Sequence, residues 1–141
     1  MPTSFRLDDK VIIVTGGTGI LGDSFITAIA EAGGIVGIGG RKREVAEERA
    51  LRINNNGGKA FACVMDVMNE TQVKAAAEKV MDNYGRVDGL VNAAGGVMPQ
   101  GVLQPQDDLF KMNLQGMRDA SKFVTGAMIC VDGGVSIFGG V

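Results

Sequence analysis

The run Val11-Ile12-Ile13-Val14 passes straight into Thr15-Gly16-Gly17-Thr18-Gly19-Ile20-Leu21-Gly22, and this junction constrains the fold more than any other stretch. Consecutive β-branched apolar residues without polar alternation predict a strand buried on both faces, as in a parallel sheet covered by helices. From Ile20 to Ala32 the apolar residues Leu21, Phe25, Ala28, Ile29 and Ala32 fall at helical spacing, and Gly33-Gly34 closes the segment. In Gly17-x-Gly19-x-x-Gly22 the first glycine is expected to let the chain turn sharply. The second leaves the backbone open to a pyrophosphate, and the third allows close packing of helix on strand. Free N–H groups and the dipole at the helix start favour phosphate. A tight strand–helix turn with no ligand is the plainer alternative for the same letters.

The alternation continues. Ile35 to Ile38 reads as a second strand, and Glu44 to Ile53 as a helix stopped by Asn54-Asn55-Asn56-Gly57-Gly58. Ala60 to Val64 is a third strand. Asn69 is placed to cap a helix from Glu70 to about Asn83, with Gln72 in the capping-box position and Tyr84-Gly85 at its end. Gly89-Leu90-Val91 is a fourth strand that runs into Asn92-Ala93-Ala94-Gly95-Gly96. Beyond it, Val97 to Gln106 is loop-like, Leu109 to Arg118 a short helix, and Ala127 to Val131 a last strand. This order predicts parallel βαβ units in a single domain over 1–141, without repeat or linker.

Composition removes most other chemistry. The 141 residues include no His, and Cys63 and Cys130 are the only cysteines, so imidazole-dependent triads, zinc sites and disulfide scaffolds are excluded and no metal is expected. A net charge of −2 lacks the basic surplus of a nucleic-acid binder. The basic run Arg41-Lys42-Arg43 is followed by Glu44, Glu47 and Glu48, which are expected to neutralise it. No apolar stretch reaches the ~18–20 residues of a membrane span, and the chain is expected to be soluble and cytoplasmic.

Dinucleotide-binding sheets commonly carry an acidic residue at the end of the second strand, where it binds the ribose hydroxyls. Here that stretch is Gly39-Gly40-Arg41-Lys42. A carboxylate repels a 2′-phosphate, whereas Arg41 and Lys42 can bind one through charge-assisted hydrogen bonds, so NADP is preferred over NAD. Solvated charges at a helix start are the alternative reading of both cations.

Four motifs in order resemble the short-chain dehydrogenase/reductase family. They are Thr15 to Gly22, Asp66-Val67 after the third strand, Asn92-Ala93-Ala94-Gly95 after the fourth, and Phe123-Val124-Thr125-Gly126 through Val131-Asp132-Gly133-Gly134. The glycine spacing departs from the commoner Thr-Gly-x-x-x-Gly-x-Gly of short members. Asn-Ala-Ala-Gly-Gly-x-Met-Pro and the Gly-rich tail resemble the mannonate/fructuronate-type sugar-acid oxidoreductases of that family. The resemblance implies an α/β fold, a Rossmann-type doubly wound parallel sheet, shortened to the first four strands plus the final one. It implies that Gly16, Gly17, Thr18, Gly19, Ile20 and Gly22 hold the cofactor. Asp66 would contact the adenine amino group and Val67 would bond it through the backbone. Asn92, Ala93, Ala94 and Gly95 would line the cofactor, with Asn92 also tying the central strands together. The implied activity is hydride transfer between NADP(H) or NAD(H) and a carbonyl or secondary alcohol, by a homo-oligomer.

The catalytic machinery that the resemblance implies is missing. A Tyr-x-x-x-Lys pair, in which the cation lowers the phenol pKa, does not occur. Tyr84, the single tyrosine, is followed four positions on by Asp88 and is expected to be a packed helix-end residue. Ala120-Ser121-Lys122 has Arg118 where tyrosine should stand, and arginine remains protonated. Asn113-Leu114-Gln115-Gly116 resembles the family's structural Asn, in an ambiguous register. No catalytic residue is assigned. Family members run to about twice this length, so a junction is expected near Arg118 and Asp119, where the catalytic segment is absent. The chain as written is expected to bind a dinucleotide without turnover, either as part of an oxidoreductase or as an inactive binding module.

Overall fold

A computed structural model of the chain describes residues 6–95 and the strand at 128–130. The element order is β1 (Val11–Thr15), α1 (Ile20–Glu31), β2 (Ile35–Gly40), α2 (Arg43–Asn55), β3 (Lys59–Val64), α3 (Glu70–Tyr84), β4 (Gly89–Asn92) and β5 (Met128–Cys130). All strand pairs are parallel, in the order β3-β2-β1-β4-β5. This is the doubly wound α/β sheet expected from the sequence, and the last strand lies beside β4. The loop expected at Val97 to Gln106, the helix at Leu109 to Arg118, Asn113, Lys122 and the junction near Arg118 lie outside the described residues.

Strand sequence explains the layering. Val11 and Ile13 point to one face and join Met65, Leu90 and the α3 residues Val73 and Val80. Val14 points to the other face, with Val36, Ile38, Ile26 of α1, and Ala46, Ala50 and Ile53 of α2. Right-handed crossovers that step outward from β1 to β3 place α1 and α2 on one face. The return to β4, on the far side of β1, places α3 on the opposite one. The chain therefore reverses direction across the sheet between β1 and β4.

The ends of the helices follow their sequence signals. Gly33 N–H bonds Ala30 O and Gly34 N–H bonds Ile29 O, both at 3.0 Å, and Gly57 and Gly58 repeat the arrangement on Asn54 and Ile53. Asn69 Oδ1 accepts from Gln72 N at 3.1 Å, as expected of a cap. The reciprocal half of the capping box is different: Gln72 Oε1 accepts from Asp66 N at 2.9 Å. The backbone N–H of Asn69 is already taken by Asp66 O at 3.0 Å, which frees the glutamine to reach one turn further back.

Helix α1 presents a different stripe from the one its spacing suggested. Leu21 and Ala28 are exposed, and the buried positions are Gly22 and Ile26, flanked by Phe25, Ile29 and Ala30. Gly22 sets this phase. A Cβ there would come 2.8 Å from Gly17 Cα and overlap the Gly16 carbonyl, so the helix seats its glycine against the turn, and the residues four and seven or eight positions later follow.

Two polar devices hold the periphery. Asp88 accepts from Val11 N at 2.8 Å and pairs with Arg86, which fixes the start of β1 to the segment entering β4. At the open edge of the sheet, the Asn54 side chain accepts from Ala60 N at 2.7 Å and donates to Ala60 O at 3.0 Å, and so occupies backbone groups that an edge strand otherwise presents. Tyr84 stacks on Phe61 with ring centroids 4.7 Å apart, the packed helix-end role expected of it.

Ile26 is fully buried between α1 and the sheet. Ile26→Ala should cost about 2–5 kcal/mol. The check is urea unfolding, in which the midpoint falls while the slope is unchanged.

Candidate functional site: a cleft at the reversal point of the sheet

In open α/β sheets the carboxyl ends of the two strands flanking the reversal bound a crevice. Here these strands are β1 and β4, and the two segments leaving them are Gly16–Gly19 and Ala93–Gly95. Their backbones nearly touch. Gly16 has φ +71°, and a Cβ on it would overlap the Ala93 carbonyl and come 2.7 Å from Ala94 N. The sharp turn expected of Gly17 therefore falls on Gly16, because the chain must leave the ladder directly after the Thr15–Asn92 pair. Gly17 instead donates to Gly39 O at 2.8 Å and ties the loop to the end of β2.

Thr15 makes a side-chain tie between β1 and β4 on the rung it shares with Asn92. Its hydroxyl donates to Val91 O at 3.4 Å and accepts from Ala94 N at 3.3 Å, and its carbonyl accepts from Ala93 N at 3.1 Å. Asn92 is buried at 2% exposure, and its amide bonds none of the described residues.

A cleft of about 220 Å³ opens above these segments. Of the residues expected to hold a ligand, it gathers Gly16, Thr18 and Gly19 from the glycine loop and Arg41 from the end of β2. It also gathers Asp66 and Val67 from the end of β3, and Ala93, Ala94 and Gly95 from the end of β4. Gly17, Ile20, Gly22, Lys42 and Asn92 do not line it. Gly22 packs the helix, Ile20 is the first residue of α1 with its side chain 91% exposed, and Lys42 is the exposed residue before α2. Three further lining residues were not anticipated: Gly40, Met65 and Met68. Gly40 answers a steric demand, since a Cβ there would lie 2.5 Å from Thr18 Oγ1.

Charge at the cleft is uneven. Arg43 pairs with Glu47 at 3.3 Å, so neutralisation of the basic run reaches that residue. Arg41 and Lys42 form no ion pair among the described residues. Asp66 spends one carboxylate oxygen on Met68 N at 2.9 Å, the geometry of a turn before a helix, and its other oxygen takes no part in that bond.

Behind the loop lies a network that the sequence reading did not anticipate. Arg49 of α2 donates to Gly17 O at 2.6 Å and Gly19 O at 2.8 Å, and pairs with Asp23 at 3.3 Å. Arg52 grips both oxygens of Asp23, at 2.6 and 3.3 Å. This hydrogen bonding from Arg52 holds the Asp23 carboxyl below the usual carboxylate range, with the charges of Arg49 and Arg52 adding to it.

Nucleophilic and acid–base groups are sparse among the described residues. Burial pushes the Cys63 thiol up to about 11 and raises the Tyr84 phenol. A proton-donating tyrosine needs the opposite shift. No group of three His, Cys, Asp or Glu side chains is placed to hold a metal ion among the described residues. No helix among them is long and apolar enough to cross a membrane.

A glycine loop and a β4 exit facing each other across the reversal of a parallel sheet define a dinucleotide-binding type of α/β fold. The family model for short chain dehydrogenases matches residues 10–138, and the chain belongs to that family. It is 32% identical over 135 residues to the 7alpha-hydroxysteroid dehydrogenase of Escherichia coli K12, which covers 94% of this chain and 53% of that protein. A gluconate 5-dehydrogenase from Burkholderia cenocepacia, solved in complex with NADP and tartrate, superposes with a TM-score of 0.79 at 31% identity, over 90% of this chain and 55% of that one. A putative D-mannonate oxidoreductase from Haemophilus influenza with bound NAD superposes at 0.75 and 24% identity, over 84% and 50%, and shows the fold alone. The chain spans about half the length of these relatives.

Gly16→Ala forces an L side chain into the left-handed region, which alone costs about 1–2 kcal/mol, and adds the overlap with Ala93. The variant should melt well below wild type in a circular-dichroism scan. The Asp23 pairing makes a second prediction. Its carboxyl is depressed in the folded state, so the stabilisation is complete above the ordinary carboxylate range and is lost as pH falls through the folded value. The melting temperature should therefore drop between about pH 5 and pH 2, and Asp23→Asn should flatten that slope.

Proposed function

We propose that the chain is the dinucleotide-binding part of a short-chain oxidoreductase and prefers NADP(H) to NAD(H). The observation that carries the preference is Arg41 at the cleft, without an ion pair among the described residues, beside Gly40 where no carboxylate stands. A 2′-phosphate placed there meets a guanidinium and no opposing acid.

The rest of the cleft fits the remaining parts of such a cofactor. The Thr18 N–H and the start of α1 are available for the pyrophosphate, the N–H groups of Gly17 and Gly19 being bonded within the fold. Asp66 retains an oxygen for the adenine amino group, with Val67 beside it and Met65 and Met68 as apolar walls. Ala93, Ala94 and Gly95 are small enough to let the cofactor cross the β4 end, and Asn92 lies below them in the sheet. Lys42, adjacent to Arg41, adds positive charge. When bound, the cofactor supplies the hydride-accepting or hydride-donating ring. The residues of this chain bind and orient it.

The proposed reaction of the whole protein is hydride transfer to a carbonyl or from a secondary alcohol, with a sugar acid as the finer substrate proposal and a homo-oligomer as its assembly. Tyr84, the single tyrosine, does not line the cleft and its phenol is raised rather than lowered, so the chain as written is proposed to bind without turnover.

Isothermal titration with NADPH and NADH tests this. NADPH should bind the more tightly, and Arg41→Ala should weaken NADPH about tenfold while leaving NADH nearly unchanged. Failure of both cofactors to bind at millimolar concentration overturns the reading. Steady-state oxidation of NADPH with keto-sugar acids should stay at background.

A further inference from the structure

We propose that Arg49 is a positioning residue for phosphate recognition, which sets the peptide orientations of the glycine loop from behind. It rests on the reading of the cleft as a dinucleotide site and adds the residue that makes the loop competent.

A single guanidinium nitrogen of Arg49 reaches the carbonyls of both Gly17 and Gly19. In a planar trans peptide the carbonyl and the following N–H point in opposite directions, and no peptide bond among the described residues is cis. Holding Gly17 O and Gly19 O toward α2 therefore turns the N–H groups of Thr18 and Ile20 the other way. Thr18 and Gly19 line the cleft and Arg49 does not, so that other way is the ligand side. Gly19 O also accepts from Asp23 N at 3.1 Å, which couples the same peptide to the first turn of α1.

The remainder of the network keeps Arg49 in place. Asp23, itself in the first turn of α1, pairs with its Nε and is gripped from the other side by Arg52. The negative charge of Asp23, which would repel a phosphate at the helix start, is thereby spent on two arginines. The Arg49 side chain is 19% exposed. Partial burial of a cation is costly unless its donors are used, and the loop carbonyls and Asp23 use them.

The test compares NADPH with adenosine 2′-monophosphate, which lacks the pyrophosphate and the nicotinamide riboside beyond it. Arg49→Met should weaken NADPH about tenfold and leave adenosine 2′-monophosphate within about twofold of wild type. Arg49→Lys, which restores a donor cation, should recover most of the loss. Should Arg49→Met fail to fold by circular dichroism, Arg49→Gln, which keeps one donor group without the charge, is measured in its place and should fall between the two. Equal weakening of both ligands, or none of either, overturns the proposal, since a merely structural arginine would not separate them. A wild-type chain that binds neither ligand overturns the site reading instead. In that case the amide signals of Thr18 and Ile20 in the ligand-free protein decide on Arg49. Shifts in the Arg49 variant support its hold on the loop, and unmoved signals overturn it.

Discussion

Main chain meets main chain where Gly16 passes the Ala93–Ala94 peptide, and the rest of the site is arranged around that approach. Because no Cβ fits between them, the segments leaving β1 and β4 converge and close the floor of the cleft. Gly22 extends the same logic to α1, whose first turn rests on Gly16 and Gly17. Thr15 then stitches the two strand ends with its hydroxyl, so that the floor is fixed by backbone geometry and one side chain. The parallel sheet contributes the position, and the missing side chains contribute the proximity.

Electrostatics at this cleft divide into a front and a back. Arg41 stands at the front, without an ion pair among the described residues, where a ligand can meet it. Arg49 and Arg52 stand at the back, both paired with Asp23, and Arg49 also bonds the loop carbonyls. A count of charges from Arg41 to the end of α2 treats these arginines as equivalent, and their surroundings make them different. The acidic residues that follow Arg41-Lys42-Arg43 in sequence reach Arg43 and leave the ligand-facing cation alone.

Much of this is legible in the sequence. The first strand is legible as an unbroken β-branched run and the glycine loop from its spacing after it, whereas Asp66-Val67 and the β4 exit are legible through the resemblance of their motifs to a family. What escaped depended on contacts across the fold. The turn was assigned to Gly17, although the clash that demands glycine comes from Ala93, more than seventy residues away. The α1 stripe was read from hydrophobicity, but its phase is set by the contact of Gly22 with the turn. Arg49 did carry a signal, since it sits between Ala46, Ala50 and Ile53 on the buried face of α2, where a charge is out of place unless something on the other side requires it. Asn92 pairs in register with Thr15 of β1 and Cys130 of β5, and the hydroxyl of Thr15 adds a side-chain tie on the same rung that the local sequence does not show.

The Asn54 bridge to Ala60 spans six residues, whereas the bond from Val11 N to Asp88 spans 77. Loop-closure entropy grows with that separation, so contacts within the α2–β3 arm are inexpensive to form and the docking of β4 on β1 is not. Assembly of the chain is thus expected to begin in the β1-to-β3 half, with β4 joining later and β5 docking on β4 in turn. The cleft comes into being when β4 joins, since one of its walls is the β4 exit. A ligand bound across it acts as a clasp on that later pairing, and partial unfolding that releases β4 abolishes the site while leaving the older half of the sheet intact.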